Sequence, residues 1–157
     1  MYALFLSNGG FHMNLSYRPA APEDADTIFR LNKELIDRYE NVQDIPYDDV
    51  LNWVRRKIEQ AIHSYNKVYA DGVHVGFYRF VPTGDQIELD DLYIFPEFQR
   101  RGIGTQIIKK CCAETEKSVM LYVFIRNTEA WSLYQRLGFE IRENIHNSRY
   151  IMVREKL

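Results

Sequence analysis

Ile87-Glu88-Leu89-Asp90-Asp91-Leu92-Tyr93-Ile94-Phe95-Pro96, followed after two residues by Gln99-Arg100-Arg101-Gly102-Ile103-Gly104-Thr105, decides how the rest of the chain is read. The first half is a β-rich run stopped by proline; the second is a glycine turn that opens an amphipathic helix. At such a helix start the first N–H groups lack partners, point outward and carry the positive end of the dipole. Gly102 and Gly104 remove the side chains that would keep phosphate oxygens from that backbone, and Arg100 and Arg101 add charge. The segment therefore suits a diphosphate, although alone it also fits an ordinary glycine turn. It lacks the Lys-Ser/Thr ending of a P-loop and the third glycine of the dinucleotide fingerprint.

Working outward, Leu15 to Pro19 reads as a short strand, and Pro22-Glu23-Asp24 opens a helix with Ile28, Leu31, Leu35 and Ile36 on one face. Asp48 and Asp49 start a second helix with an apolar stripe of Val50, Trp53, Val54, Ile58, Ala61 and Ile62. Lys67 to Ala70 and Val73 to Val81 form a hairpin on Asp71-Gly72, and Ile87 to Phe95 is the next strand after a turn at 82–85. A helix of about fifteen residues from Gly102 or Ile103 follows. The strand Val119 to Ile125, a helix through Trp131 and Leu137, and strands near 139–145 and 150–155 complete the chain. The expected fold class is α/β of the mixed α+β kind: a largely antiparallel sheet flanked by helices, in the order β-α-α-β-β-β-α-β-α-β-β.

The chain has 157 residues, 46% hydrophobic and 14% aromatic, which suits one domain with a substantial core. Residues 1–12 are read as a flexible extension or a cloning remnant, with a native extra strand as the alternative, and 13–157 as the single domain. Twenty Lys and Arg against 22 Asp and Glu give a net charge of −2 with no block of like charge, which argues against a nucleic-acid partner. No apolar run of about 18 residues marks a membrane span. Cys111 and Cys112 are neighbours and form neither a disulfide framework nor a zinc pattern, which with the lack of a secretory signal points to the cytoplasm. The histidines show no metal-ligand spacing, and no metal is expected.

The run from Ile87 to Pro96 with Gln99-x-x-Gly102-x-Gly104 closely resembles the central motif of the GNAT acetyltransferases. Val123-Phe124-Ile125-Arg126-Asn127, then Ala130, Leu133-Tyr134 and Leu137-Gly138-Phe139, is similar to that family's second cofactor segment. The resemblance covers Pro19 to the C-terminus, with the early helices matching in placement only. It implies an N-acetyltransferase that moves acetyl from acetyl-CoA to a primary amine by direct attack in a ternary complex. An acyl-CoA-binding regulatory module with little turnover is the alternative. Leu92, Tyr93 and Ile94 are the implied strand residues of the cofactor site, with the backbone of Leu92 and Ile94 bonding the pantetheine arm. Gln99, Arg100, Arg101, Gly102, Ile103, Gly104 and Thr105 form the implied pyrophosphate loop, and Asn127 touches the arm. Tyr134 matches the position beside the CoA sulfur, where a phenol donates a proton to the leaving thiolate, or is an ordinary packing aromatic. The backbone N–H of Ile94 is the implied oxyanion donor.

The acceptor ammonium, with a pKa of about 10.4 if it is lysine-like, must lose a proton before it attacks. Glu88, eleven positions before Gln99, is the first candidate base, and Asp90 and Asp91 compete for the role. A regular strand would put Glu88 and Asp90 on one face and Asp91 on the other, whereas a bulge would reassign the faces. Acidic residues Glu34, Asp37, Glu40, Asp44, Asp48 and Asp49 around the first two helices read either as a solvated face or as a field for a cationic acceptor. Edge strands near the C-terminus leave room for a homodimer.

Overall fold

The structure is a computed structural model and describes residues 13–156, so the expected N-terminal extension, residues 1–12, lies outside the described residues. Seven strands form one sheet: β1 (Leu15–Pro19), β2 (Tyr65–Ala70), β3 (Val73–Thr83), β4 (Gln86–Ile94), β5 (Val119–Phe124), β6 (Glu140–Ile145) and β7 (Arg149–Arg154). Their order across the sheet is β1-β2-β3-β4-β5-β7-β6, and every neighbouring pair is antiparallel except β4 with β5. Helices α1 (Ala25–Tyr39) and α2 (Tyr47–Ala61) cover one face, and α3 (Ile103–Ala113) and α4 (Thr128–Arg136) the other. The expected mixed fold and element order are those observed.

Each face has its own core. Ile28 and Ile36 of α1 and Val54 and Ile58 of α2 pack on Tyr65 and Phe77, while Ile103, Ile107, Ile108 and Cys111 of α3 pack on Val68, Val75, Leu89 and Leu121. Full burial of one such side chain is worth about 1.5–3 kcal/mol, so these two layers hold the helices to the sheet. Both thiols lie within the second layer, and burial pushes that of Cys111 up to about 12.

Two local readings are corrected. Trp53, placed on the buried stripe of α2, is 58% exposed, because it sits about 100° round the helix from Val54 and overhangs the layer's edge. Helix α3 has 11 residues rather than fifteen; it stops after the buried pair Cys111 and Cys112, and the Lys117 amide donates to Thr115 Oγ1 in the turn that follows.

The feature that positions the site is the β4–β5 pair. It is joined only at Ile87 with Val119 and Glu88 with Met120, after which β5 pairs with β7 alone and β4 runs on to Ile94 against β3. The two strands therefore part beyond Glu88. On the other side of β4 the pairing shifts register between Phe77 and Arg79, and Asp91 adopts a φ of 52°: a bulge lies at Asp90-Asp91. Gly76 of β3 faces the strand just beyond it, where any side chain would strike the carbonyl of Tyr93. Neither backbone can yield without breaking the ladder. Gly76→Ala is expected to lower stability by about 2–3 kcal/mol, read as a lower urea midpoint at unchanged slope.

Candidate active site

The bulge sorts the acidic residues. Leu89 is buried in the α3 layer, with Leu92 and Ile94 partly buried against it; Asp90, Asp91 and Tyr93 all turn toward α1 and α2. A regular strand would have split Asp90 from Asp91; the extra residue puts both carboxylates on the helix-covered face.

There the two acids are occupied. Asp90 receives Lys57 Nζ of α2 at 2.6 Å and Arg79 Nη1 of β3 at 3.0 Å. Asp91 accepts from the hydroxyls of Tyr65 and Tyr93 and from Asn32 Nδ2, and Lys57 stands 3.7 Å away. A left-handed φ at a non-glycine residue costs about 1–2 kcal/mol, and these donors hold Asp91 in it. Burial lowers the Lys57 pKa, but the charges of Asp91 and Asp90 outweigh it and the net shift is upward, so Lys57 is a firm cation. Burial, reinforced by Asp91, raises the Asp90 pKa against the opposing pull of Lys57 and Arg79. Tyr65 and Tyr93 are held protonated, chiefly by burial and then by Asp91.

Glu88 differs. Among the described residues it has no side-chain hydrogen bond and no ion pair, and burial followed by the charge of Asp90 raises its pKa. Three carboxylates face two cations here, and the one left over is the partnerless Glu88 at the point where β4 and β5 part. Lys57 and Tyr65 lie far from β4 in sequence, Arg79 stands opposite Asp90 on the neighbouring strand, and none of the three carries a motif; the fold reveals them as partners of the acids.

On the cofactor side, the Phe95 amide donates to Val75 and the Tyr93 carbonyl faces Gly76, so by alternation Leu92 and Ile94 direct their backbone groups into the opening. The Ile94 carbonyl takes Gln99 Nε2 at 2.9 Å, which makes Gln99 a strut between strand and loop. Tyr93 is not brought to the opening: its side chain is buried toward Asp91 and its carbonyl faces β3. Arg100 (φ 63°) and Gly102 (φ 80°) are left-handed, and the first helical bond of α3 runs from the Gln106 amide to the Gly102 carbonyl. The amides of Ile103, Gly104 and Thr105 precede that bond and are free for an anion. No heavy atom lies within 4 Å of a Cβ built on Gly102 or Gly104, so the space before the loop is open. Arg100 pairs with Glu129 at 3.4 Å on the surface, and the Arg101 guanidinium lies over the Phe98 ring.

Asn127 caps α4, its Oδ1 accepting from the Ala130 amide at 3.3 Å. Tyr134 projects from α4 into the α3 layer beside Phe139, ring centroids 5.8 Å apart, and burial pushes its phenol up to about 12. It is therefore protonated at neutral pH.

The model of the acetyltransferase (GNAT) family matches residues 28–139. A spermidine N(1)-acetyltransferase of Thermoplasma acidophilum is 23% identical over 158 residues, spanning 89% of this chain and 96% of that protein. An uncharacterized N-acetyltransferase of Methanocaldococcus jannaschii is 38% identical over 60 residues, 36% of this chain and 26% of that one. In structure, the PaiA N-acetyltransferase from Thermoplasma acidophilum, solved in complex with coenzyme A, superposes with a TM-score of 0.64 at 22% identity over 91% of this chain and 99% of that one. A chain with this sheet, an opened parallel pair and a glycine-led helix start is an acetyltransferase by class, the class whose acyl donor is acetyl-CoA. It belongs to the GNAT family. Among the described residues no helix is long and apolar enough to cross a membrane.

Because the Glu88 pKa is raised on folding, the folded chain keeps that proton at pH values where the unfolded chain has lost it, and stability falls as pH rises through the raised value. Glu88→Gln removes this term. Its melting temperature relative to the parent is expected to improve as buffer is taken from about pH 4, near the ordinary glutamate value, to pH 7.

Proposed function

We propose that this protein transfers the acetyl group of acetyl-CoA to a primary amine, a small cationic molecule or a peptide amine, by direct attack in a ternary complex. The observation that carries the reading is the opening between β4 and β5: it begins at a partnerless, raised-pKa glutamate and has free amides along β4 and at the start of α3.

In this reading the amides of Ile103, Gly104 and Thr105 hold the diphosphate and the β4 edge at Leu92 and Ile94 holds the arm as an added strand. The thioester then lies near the bulge. Glu88 takes a proton from the acceptor ammonium, directly or through water, and the freed nitrogen lone pair attacks the thioester carbonyl. A backbone N–H on the opened edge of β4, that of Ile94 first, meets the oxyanion. As the C–S bond breaks, the sulfur takes the phenolic proton of Tyr134, the attacking nitrogen gives up its second proton through water to the Tyr134 phenolate, and the products are an N-acetyl amide and free CoA, with the proton held by Glu88 passing to solvent. Asp90 and Asp91, already bound to cations and phenols, set the local charge and leave the proton transfer to Glu88.

Thermal unfolding with acetyl-CoA, CoA and ATP tests the donor. Acetyl-CoA at about one hundred times its Kd should add roughly 2.7 kcal/mol of stability, with ATP giving far less. Gly104→Glu, which sets a carboxylate against the diphosphate, should lose that gain while remaining folded. Absence of any shift with the parent at millimolar acetyl-CoA would refute the donor, and a shift without thiol release for any amine would favour the binding module.

Proton abstraction by Glu88 has a separate signature. Turnover of the parent should rise with pH through the raised Glu88 pKa, and Glu88→Gln should lose most at neutral pH and recover in alkaline buffer, where free amine is abundant. A loss independent of pH would remove Glu88 from the role.

A further inference from the structure

A pocket of ≈ 590 Å³ lies between the end of α1, the α1–α2 loop and the β6–β7 hairpin, with Glu40 and Asp44 on one side and Arg126 and Arg149 on the other. Its place relative to the chemistry follows from β5. Met120, paired with Glu88, and Phe124 fall on the same face of that strand, four residues or ~13 Å apart at the usual rise. The Arg149 guanidinium lies over the Phe124 ring, 4.8 Å from its centroid.

The acids in and beside this pocket have donors. Glu40 Oε2 accepts from Ser148 Oγ at 2.6 Å, Asp44 accepts from Asn41 Nδ2, and Asp37 accepts from Lys33 and Tyr47. Arg149 has none of the converse. It is half-buried, yet among the described residues no carboxylate lies within 4.0 Å of it and its side chain donates no hydrogen bond. Arg126 on the same wall is exposed and adds a second positive charge. The unmet demand is for an anion, and a planar guanidinium fixed on an aromatic ring matches a carboxylate through two parallel N–H···O bonds.

We propose that the acceptor carries a carboxylate remote from its reacting amine, and that Arg149 reads it. The substrate class is a lysine-like diamino acid, free or at a peptide C-terminus, rather than a plain polyamine. This rests on the acetyl-transfer reading above. The α-carboxylate meets Arg149, the α-ammonium faces Glu40 and Asp44 across the pocket, and the side-chain amine extends along β5 toward Glu88. A polyamine would set a cation against Arg149 and leave its demand unmet.

Thiol release from acetyl-CoA is followed with L-lysine, L-lysinamide, cadaverine and the dipeptide alanyl-lysine. For the parent, kcat/KM should favour lysine or alanyl-lysine over both carboxylate-free amines by about tenfold or more, as expected for one charge-assisted pair. Whichever of the two is preferred identifies the source of the carboxylate. In Arg149→Gln that preference should fall toward one, mainly through KM, with stabilisation by acetyl-CoA retained. If Arg149→Gln does not fold, Arg149→Lys, which keeps the charge but gives up the fork, should show a smaller fall. Equal or better use of cadaverine by the parent, a preference undiminished by the substitution, or acetyl-CoA binding with no turnover of any of the four would overturn the proposal. If acetyl-CoA is neither bound nor consumed, the transfer reading fails first and this proposal with it.

Discussion

Two parallel strands that pair at two positions and then part leave a row of backbone donors and acceptors with no strand to meet them. Within a sheet such groups are costly unless something else satisfies them. Here the divergence is built in from both sides: β5 is drawn to β7 along its full length, and β4 is bent by the bulge at Asp90-Asp91. Gly76 lets β3 follow the bent strand closely, and Gln99 ties the end of β4 to the loop that starts α3. The opening and the acidic face are consequences of one local distortion, and the start of α3 beside them adds the amides that any helix N-terminus leaves free.

The bulge also gives different surroundings to the three acids that compete for one role in the sequence, where Glu88 is only the first candidate. Asp91 is used up in holding the bulge, through Tyr65, Tyr93 and Asn32, and Asp90 in neutralising Lys57 and Arg79. Glu88 has no partner among the described residues, and burial followed by the charge of Asp90 raises its pKa, the combination on which the proposed base role rests. Tyr134 packs in the opposite layer beside Phe139, so it and Glu88 lie on different faces of the sheet.

How much of this could be read from the chain depends on the range of each interaction. The Asp71-Gly72 hairpin, the proline stop after Phe95 and the Gly102 turn are local, and the structure has each of them, with Asp71, Gly72 and Gly102 all at positive φ. The face assigned to Asp91 could not be read, because one extra residue in the pairing with β3 decides it and nothing in β4 itself says where that residue falls. Lys57 and Arg79 were invisible for the same reason: they meet Asp90 across 33 and 11 residues. The acidic run around α1 and α2 could be read either as a solvated face or as a field for cations; in the fold Asp37 is engaged by Lys33 and Glu40 by Ser148, and the pocket beside them sets Glu40 and Asp44 against Arg126 and Arg149.

The central claim is that acetyl-CoA occupies the gap as a substitute strand capped by the start of α3. Amide hydrogen exchange, resolved residue by residue with and without acetyl-CoA, tests it most directly. Exchange should slow at Leu92, Ile94, Ile103, Gly104 and Thr105 and stay unchanged in β1 and β2. Unchanged exchange at those five amides under saturating ligand, or protection confined to the α1–α2 loop, would contradict the account.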